Sequence, residues 1–186
     1  MSKNKEQPQP IRQETRIEGT LTEKGVKIAS KQRIEELKAK GYGIEENGEL
    51  LLNFYEALHI LDKGLILVKD EKGGEMDFQQ LLQVAEKKDE NAWAKYLVYR
   101  DLRNRGYVVR EGFGLGVDFR VYERGEYGKD TAKYLILSLQ EGRPLTMEEL
   151  TQIMRQCQSL KKELILAVMS RRGEIVYYSV SQLTLP

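Results

Sequence analysis

From Asn91 to the end of the chain the apolar residues alternate between helical and strand spacing, and this constrains the fold more than any other feature. Asn91 to Arg105 carries Trp93, Leu97, Val98 and Leu102 on one helical face, and Gly106 closes the segment. Strand-like runs follow at Tyr107 to Arg110, Val117 to Tyr122 and Tyr134 to Leu139. A second helix, from about Met147 to Leu160, is expected to bury Leu150, Ile153, Met154 and Cys157, and strands at Leu164 to Met169 and Ile175 to Val180 complete the pattern. The order predicts a mixed sheet flanked by helices, an α/β (α+β) unit spanning 89–186.

The first half predicts a smaller mixed α/β domain, 11–88. Ser30 can cap a helix carrying Ile34 and Leu37, with Gly41 just past its end. Asn53 and Glu56 have capping-box spacing ahead of an apolar helix that Gly64 stops. Leu65 to Val68 reads as a strand, Asp70 to Glu75 as a turn, and Asp77 as the start of a helix with Phe78, Leu81, Leu82 and Ala85 on one face. The charged run Glu86 to Glu90 is the expected seam. Met1 to Pro10 is polar and proline-bearing, and is expected to be a disordered tail.

A net charge of +1 predicts no strong nonspecific pull toward nucleic acid or membrane, although a local basic patch can still hold phosphate. Cys157 is the one cysteine, so no intrachain disulfide forms and a reducing cytoplasm is the expected setting. No run approaches the roughly 20 apolar residues of a membrane span, and no signal-peptide pattern opens the chain. One His and one Cys cannot supply a zinc set, so neither metal nor cofactor is expected. The glycine run Gly112 to Gly116 leads into a strand rather than a helix and reads as a turn, not a phosphate loop.

Chemistry-bearing residues are few. In the strand VDFRVY a period of two sets Val117, Phe119 and Val121 against Asp118, Arg120 and Tyr122, so Tyr122 faces away from the core. Lys161 and Lys162 lie between a helix end and a buried strand, with Arg155 about two helical turns earlier. His59, the only histidine, sits among apolar residues of a helix and reads as a packed residue rather than a catalyst.

The run YLVYRDLRNRGYVVREGFGLGVDFRVYERG, Tyr96 to Gly125, together with GELLLNFYEALHILDKG before it and KKELILAVMSRRGEIVYYSV after it, resembles archaeal tRNA-intron endonucleases over nearly the whole chain. The resemblance implies metal-free cleavage of precursor tRNA at bulge–helix–bulge sites, leaving a 2′,3′-cyclic phosphate and a 5′-hydroxyl. A tyrosine would act as base on the ribose 2′-OH, a lysine would stabilise the phosphorane, and a histidine would protonate the leaving oxygen. Tyr122 and Lys162 fall on the tyrosine and lysine. The histidine position, three residues before Tyr134, holds Thr131. Losing a positioned acid costs about 10²–10⁴ in rate. The expectation is therefore a structural or weakly catalytic subunit of a tetramer-like assembly, paired with a catalytic sister or with itself.

The resemblance further implies that Arg155 stacks on a bulged base, with Arg120, Lys161 and Tyr177 as RNA contacts and Tyr177 as an opposing jaw. The loop around Glu141 and Arg143 would dock a partner, and the C-terminal strand would pair between subunits. An active homo-oligomer using another acid, and an RNA-binding assembly module without a cutting role, are the alternatives.

Overall fold

The computed structural model describes residues 16–183 apart from 113 and 115; the expected tail at Met1 to Pro10 lies outside the described residues. An N-terminal domain opens with β1 (Ile17–Thr22) and β2 (Gly25–Ile28), followed by α1 (Lys31–Ala39), β3 (Ile44–Glu46) and β4 (Glu49–Leu52). It continues through α2 (Phe54–Asp62), β5 (Ile66–Lys69), β6 (Glu75–Met76) and α3 (Phe78–Lys88). The C-terminal domain comprises α4 (Ala92–Asn104), β7 (Val108–Glu111), β8 (Phe119–Tyr122), β9 (Tyr134–Gln140), α5 (Met147–Ser159), β10 (Glu163–Met169) and β11 (Ile175–Val180).

Local chemistry sets several boundaries. Asn53 and Glu56 form a reciprocal capping box on α2, as do Asp77 and Gln80 on α3 and Thr146 and Glu149 on α5. Ser30 precedes α1 but makes no side-chain cap. β3 and β4 are joined by Asn47-Gly48 with φ of 54° and 81°, the positive pair that a two-residue hairpin turn of this twist requires.

The six strands of the first domain form one sheet, ordered β3-β4-β2-β1-β5-β6, and the five of the second form another, β11-β10-β9-β8-β7. Each sheet contains one parallel pair, β1 with β5 and β9 with β10. The second pair is a strand–helix–strand crossover through α5, so both of its strands begin at the same end of the sheet.

α2 packs on β2 and β5, α4 packs on β7, β9 and β10, and α2 and α3 lie against α4. One hydrophobic core therefore runs from sheet to sheet, with Leu50, Leu58, Tyr96, Tyr99 and Phe119 in it. α4 is covered on two sides, and its buried arc takes in Tyr96 and Tyr99. Trp93, expected inward, lies at the rim with 37% exposed and its ring 5.7 Å from that of Tyr96. α5 covers the other face of the second sheet with a smaller cluster. Of its expected core residues only Cys157 is buried, because Leu150, Ile153 and Met154 pack against one side alone. Val117, expected with Phe119 and Val121, belongs to this smaller cluster, since the strand begins only at Phe119.

Arg110 on β7 ties the domains together. Its guanidinium donates to the Gly41 and Gly43 carbonyls at 2.9 and 2.6 Å and pairs with Glu56 at 3.2 Å. Arg103 on α4 adds a bond to the Lys40 carbonyl and lies 4.0 Å over the Tyr42 ring. Glu56 is fully buried; burial raises its pKa to about 7, and Arg110 opposes that rise. His59 is also buried, between Tyr42 and Tyr99, and Nδ1 has no hydrogen-bond partner. Burial, helped by the charges of Lys63 and Arg103, lowers its pKa to about 4.

Arg110→Ala removes the guanidinium from the buried Glu56 carboxylate and from two carbonyls, and should cost about 3–5 kcal/mol, read as a lower urea midpoint at unchanged slope. An unchanged midpoint would refute the tether. The His59 pKa lies below its unfolded value of about 6.5, so this residue favours folding above that pH and the contribution fades as pH falls toward 4. Glu56 has the opposite sign, favouring the fold at low pH and losing that as pH rises toward 7. Subtracting the stability of His59→Leu from that of the parent cancels the Glu56 contribution. The difference should fall by up to about 3 kcal/mol between pH 7 and 4; a flat difference would show that His59 titrates normally.

Candidate active site

Three adjacent strands bring the candidate residues to one end of the second sheet. Tyr122 ends β8, Thr131 to Lys133 lead into β9, and Lys162 leads into β10. Val121 lies opposite Tyr134, and Tyr134 opposite Glu163. Two backbone bonds extend the register past the strand ends: the Lys133 amide donates to the Val121 carbonyl at 3.0 Å, and the Glu163 amide to the Lys133 carbonyl at 3.1 Å.

Lys162 owes its position to the end of α5. After Leu160 the chain enters the left-handed region at Lys161, φ 55°, a conformation usually taken by glycine. The Lys161 amide then bonds the Gln158 carbonyl, and the Lys162 amide the Cys157 carbonyl, each at 2.9 Å. This tight stop carries the chain into β10 with Lys162 Nζ donating to Thr131 Oγ1 at 2.5 Å. Behind Thr131, the Asp130 carboxylate accepts from the Thr131 amide at 2.6 Å and lies 3.5 Å from the hydroxyl.

Tyr122 is half-buried, with the Tyr127 ring edge-on at 5.0 Å. The connection between β8 and β9 is anchored at its base by Glu123, which pairs with Lys133 at 2.8 Å and accepts from the Tyr134 hydroxyl at 3.2 Å. That pairing lowers the pKa of Glu123 and raises that of Lys133.

The other candidates are more dispersed. Arg120 is half-buried, and its Nε donates to the Glu111 carbonyl at 2.8 Å, on the side of β8 away from β9. Arg155 and Lys161 are exposed. Tyr177, expected as a jaw opposite Arg155, lies on the α4 face of the sheet, where its hydroxyl donates to Asp101 at 2.7 Å and its pKa is raised by burial and by that carboxylate. α5 and Arg155 occupy the other face, and there the neighbouring Tyr178 presents its side chain with 52% exposed. Glu141 turns back onto the β10–β11 hairpin, accepting from the Arg171 amide at 3.1 Å, and Arg143 is exposed beside it. This loop lies at the opposite end of the sheet from Lys162. His59, the chain's one histidine, is enclosed in the core and supplies no imidazole here.

Sequence reasoning missed Tyr127, which no motif marks. Residues 113 and 115 of the glycine run lie outside the described residues; Gly114 and Gly116 have positive φ, and a side chain at Gly112 would collide with the Val117 carbonyl. Among the described residues no group of three or more His, Cys, Asp or Glu is placed to hold a metal ion, and no helix is long and apolar enough to cross a membrane.

Residues 92–177 match the family model for the catalytic C-terminal domain of tRNA intron endonuclease, and residues 17–82 match that for its N-terminal domain. A tRNA-splicing endonuclease of Methanococcus vannielii is 37% identical over 169 residues, covering 91% of this chain and 96% of the relative. One from Pyrococcus furiosus is 36% identical over 141 residues, covering 76% and 81%, and one from Thermococcus onnurineus is 34% identical over 139 residues, covering 75% and 80%. With both domain models in sequence and relatives matched along most of their length, the chain belongs to the tRNA intron endonuclease family.

Proposed function

We propose that this chain is a subunit of a tRNA-splicing endonuclease that grips precursor tRNA at its bulge–helix–bulge site and contributes little or no cutting itself. The observation that carries the reading is the Lys162–Thr131 contact at the end of β8, β9 and β10. Family chemistry calls for a tyrosine base, a lysine against the phosphorane and a histidine acid. Tyr122 and Lys162 are suited to the first two roles, and Thr131 stands where the third would act.

A threonine hydroxyl does not release a proton at useful efficiency near neutral pH, and this one is already engaged. It accepts from Lys162, and the Asp130 carboxylate lies 3.5 Å away as an acceptor for its proton. Lys162 remains a fixed cation at the head of a β-strand, suited to holding a phosphate. Binding without efficient cleavage is the outcome that such a set supports.

Assembly with a catalytic sister subunit, or with a second copy, fits β11. Among the described residues it is an edge strand, and its Val176 and Tyr178 are exposed. The loop at Glu141 and Arg143 would dock on the opposing subunit. A reducing cytoplasm suits a chain with one buried thiol.

Thr131→His restores an imidazole to the proposed acid position. With Tyr122 and Lys162 unchanged, cleavage of a bulge–helix–bulge RNA should rise by at least about 10²-fold over the parent and leave cyclic-phosphate ends. Adding Lys162→Ala should return the rate to the parent level. A Thr131→His chain that folds and binds the RNA but leaves it uncut as before would contradict this assignment.

A further inference from the structure

A groove of about 390 Å³ opens on the N-terminal domain, between the end of α1, the end of α2 and the start of β1. Leu37 and Ile60 contribute buried apolar lining, and Arg16, Arg33, Lys40 and Lys63 contribute cations. Among the described lining residues Glu36 is the one carboxylate, and it is shared, with Arg33 and Lys40 each bonding it at 2.9 Å. Four cations against one carboxylate make a concentrated positive site on a chain whose net charge is only +1.

One short segment joins this groove to the candidate site. Lys40 and Tyr42 belong to the groove, and Gly41 between them is buried with φ of 75°. A side chain at Gly41 would meet the ring of Tyr127, which is itself edge-on to Tyr122. Arg103 reaches across from α4 to hold both flanks of the segment, through the Lys40 carbonyl and the Tyr42 ring. The groove wall is thereby fixed to the C-terminal domain, and an extended polyanion can meet both domains without first ordering a hinge.

We propose that this groove binds backbone phosphates of an RNA helix flanking the bulges, as a second anchor apart from the Lys162 end of the sheet. The inference rests on the RNA-gripping role proposed above and gives the N-terminal domain a part in it.

Phosphate contacts set the register and orientation of a nucleic acid on a protein without reading its sequence. The groove is equipped for that task. Guanidinium forks suit phosphate oxygens and ammonium groups add point charge. Four cations around one groove match successive phosphates of a strand better than one small anion. A net charge of +1 provides no general pull toward RNA, so a local cluster has to supply it.

The test uses the full chain carrying Arg16→Ala and Lys63→Ala together. Both side chains are exposed, so the double variant should keep the parent's urea midpoint. Binding to a bulged RNA with two long flanking helices is measured across a salt series. Losing two phosphate contacts should reduce the slope of log affinity against log salt by about 1.5. The double variant should then bind about 30-fold more weakly than the parent at 0.1 M salt and nearly alike at 1 M. On one of two RNAs, each trimmed of a different flanking helix, the difference should vanish.

A double variant with the parent's affinity and slope overturns the proposal. A loss that persists in full on both trimmed RNAs also overturns it, because the cations would then serve the bulges. Unchanged RNA binding with weakened self-association in sedimentation hands the groove to a second copy of the chain, and overturns it too. Lys162→Ala separates the groove from the role beneath it. If that variant weakens binding of every bulged RNA while the groove variant changes nothing, the gripping role stands and the groove falls. If the parent shows no preference for bulged RNA over a plain duplex, the gripping role falls, and the groove with it.

Discussion

The buried guanidinium of Arg110 is the contact on which the arrangement of the domains depends. It meets a carboxylate from α2 and two carbonyls from the segment after α1, all on the far side of the domain boundary from its own strand. A charge with 13% of its side chain exposed is tolerated when its donors are matched, and its planar fork suits several acceptors at once. The same Glu56 side chain also caps α2 through the Asn53 amide. One carboxylate thus fixes the start of a helix and the seat of β7. Because β8 pairs with β7, and β9 with β8, the strands that bear Tyr122 and Thr131 take their positions from that seat.

Lys162 reaches the same place by a different route. The crossover from β9 through α5 to β10 brings the starts of two parallel strands together, and a left-handed residue at the helix end sets the entry. Lys161 adopts that conformation without being glycine, a local cost on the order of 1 kcal/mol. The smaller cluster under α5 holds the helix only on one side. The face bearing Arg155, Gln158 and the exposed Tyr178 is left open to solvent beside Lys162. On the proposed reading, this open and polar flank is where RNA lies, and the cost of a half-covered helix is tied to that use.

Much of the fold was legible because the signals were local. The capping box at Asn53, the helix start at Asp77 and the stops at Gly41, Gly64 and Gly106 need only a few neighbouring residues. The strands β1 to β4 escaped because they are short and interrupted by charge, although Asn47-Gly48 was an available hairpin signal. Trp93 and the α5 stripe were misjudged because helical spacing fixes a face but not what covers it. Tyr177 shows the same limit in a strand: a period of two separates it from Tyr178 but does not say which face meets α4. Proximity of Lys162 to Thr131 is a matter of sheet register across 31 positions of sequence, and no spacing rule carries that information.

What distinguishes this end of the sheet physically is a lysine ammonium bonded to a threonine hydroxyl, with Tyr122 closing the neighbouring strand and the chain's one imidazole sealed in the core. The most direct measurement follows an end-labelled precursor tRNA under an excess of the purified, unaltered chain, resolving both the bound fraction and the cut ends over hours. The RNA should be retained in complex and remain full length. Multiple turnovers by this chain alone, releasing 2′,3′-cyclic phosphate ends, would contradict the proposed role of binding RNA without efficient cutting.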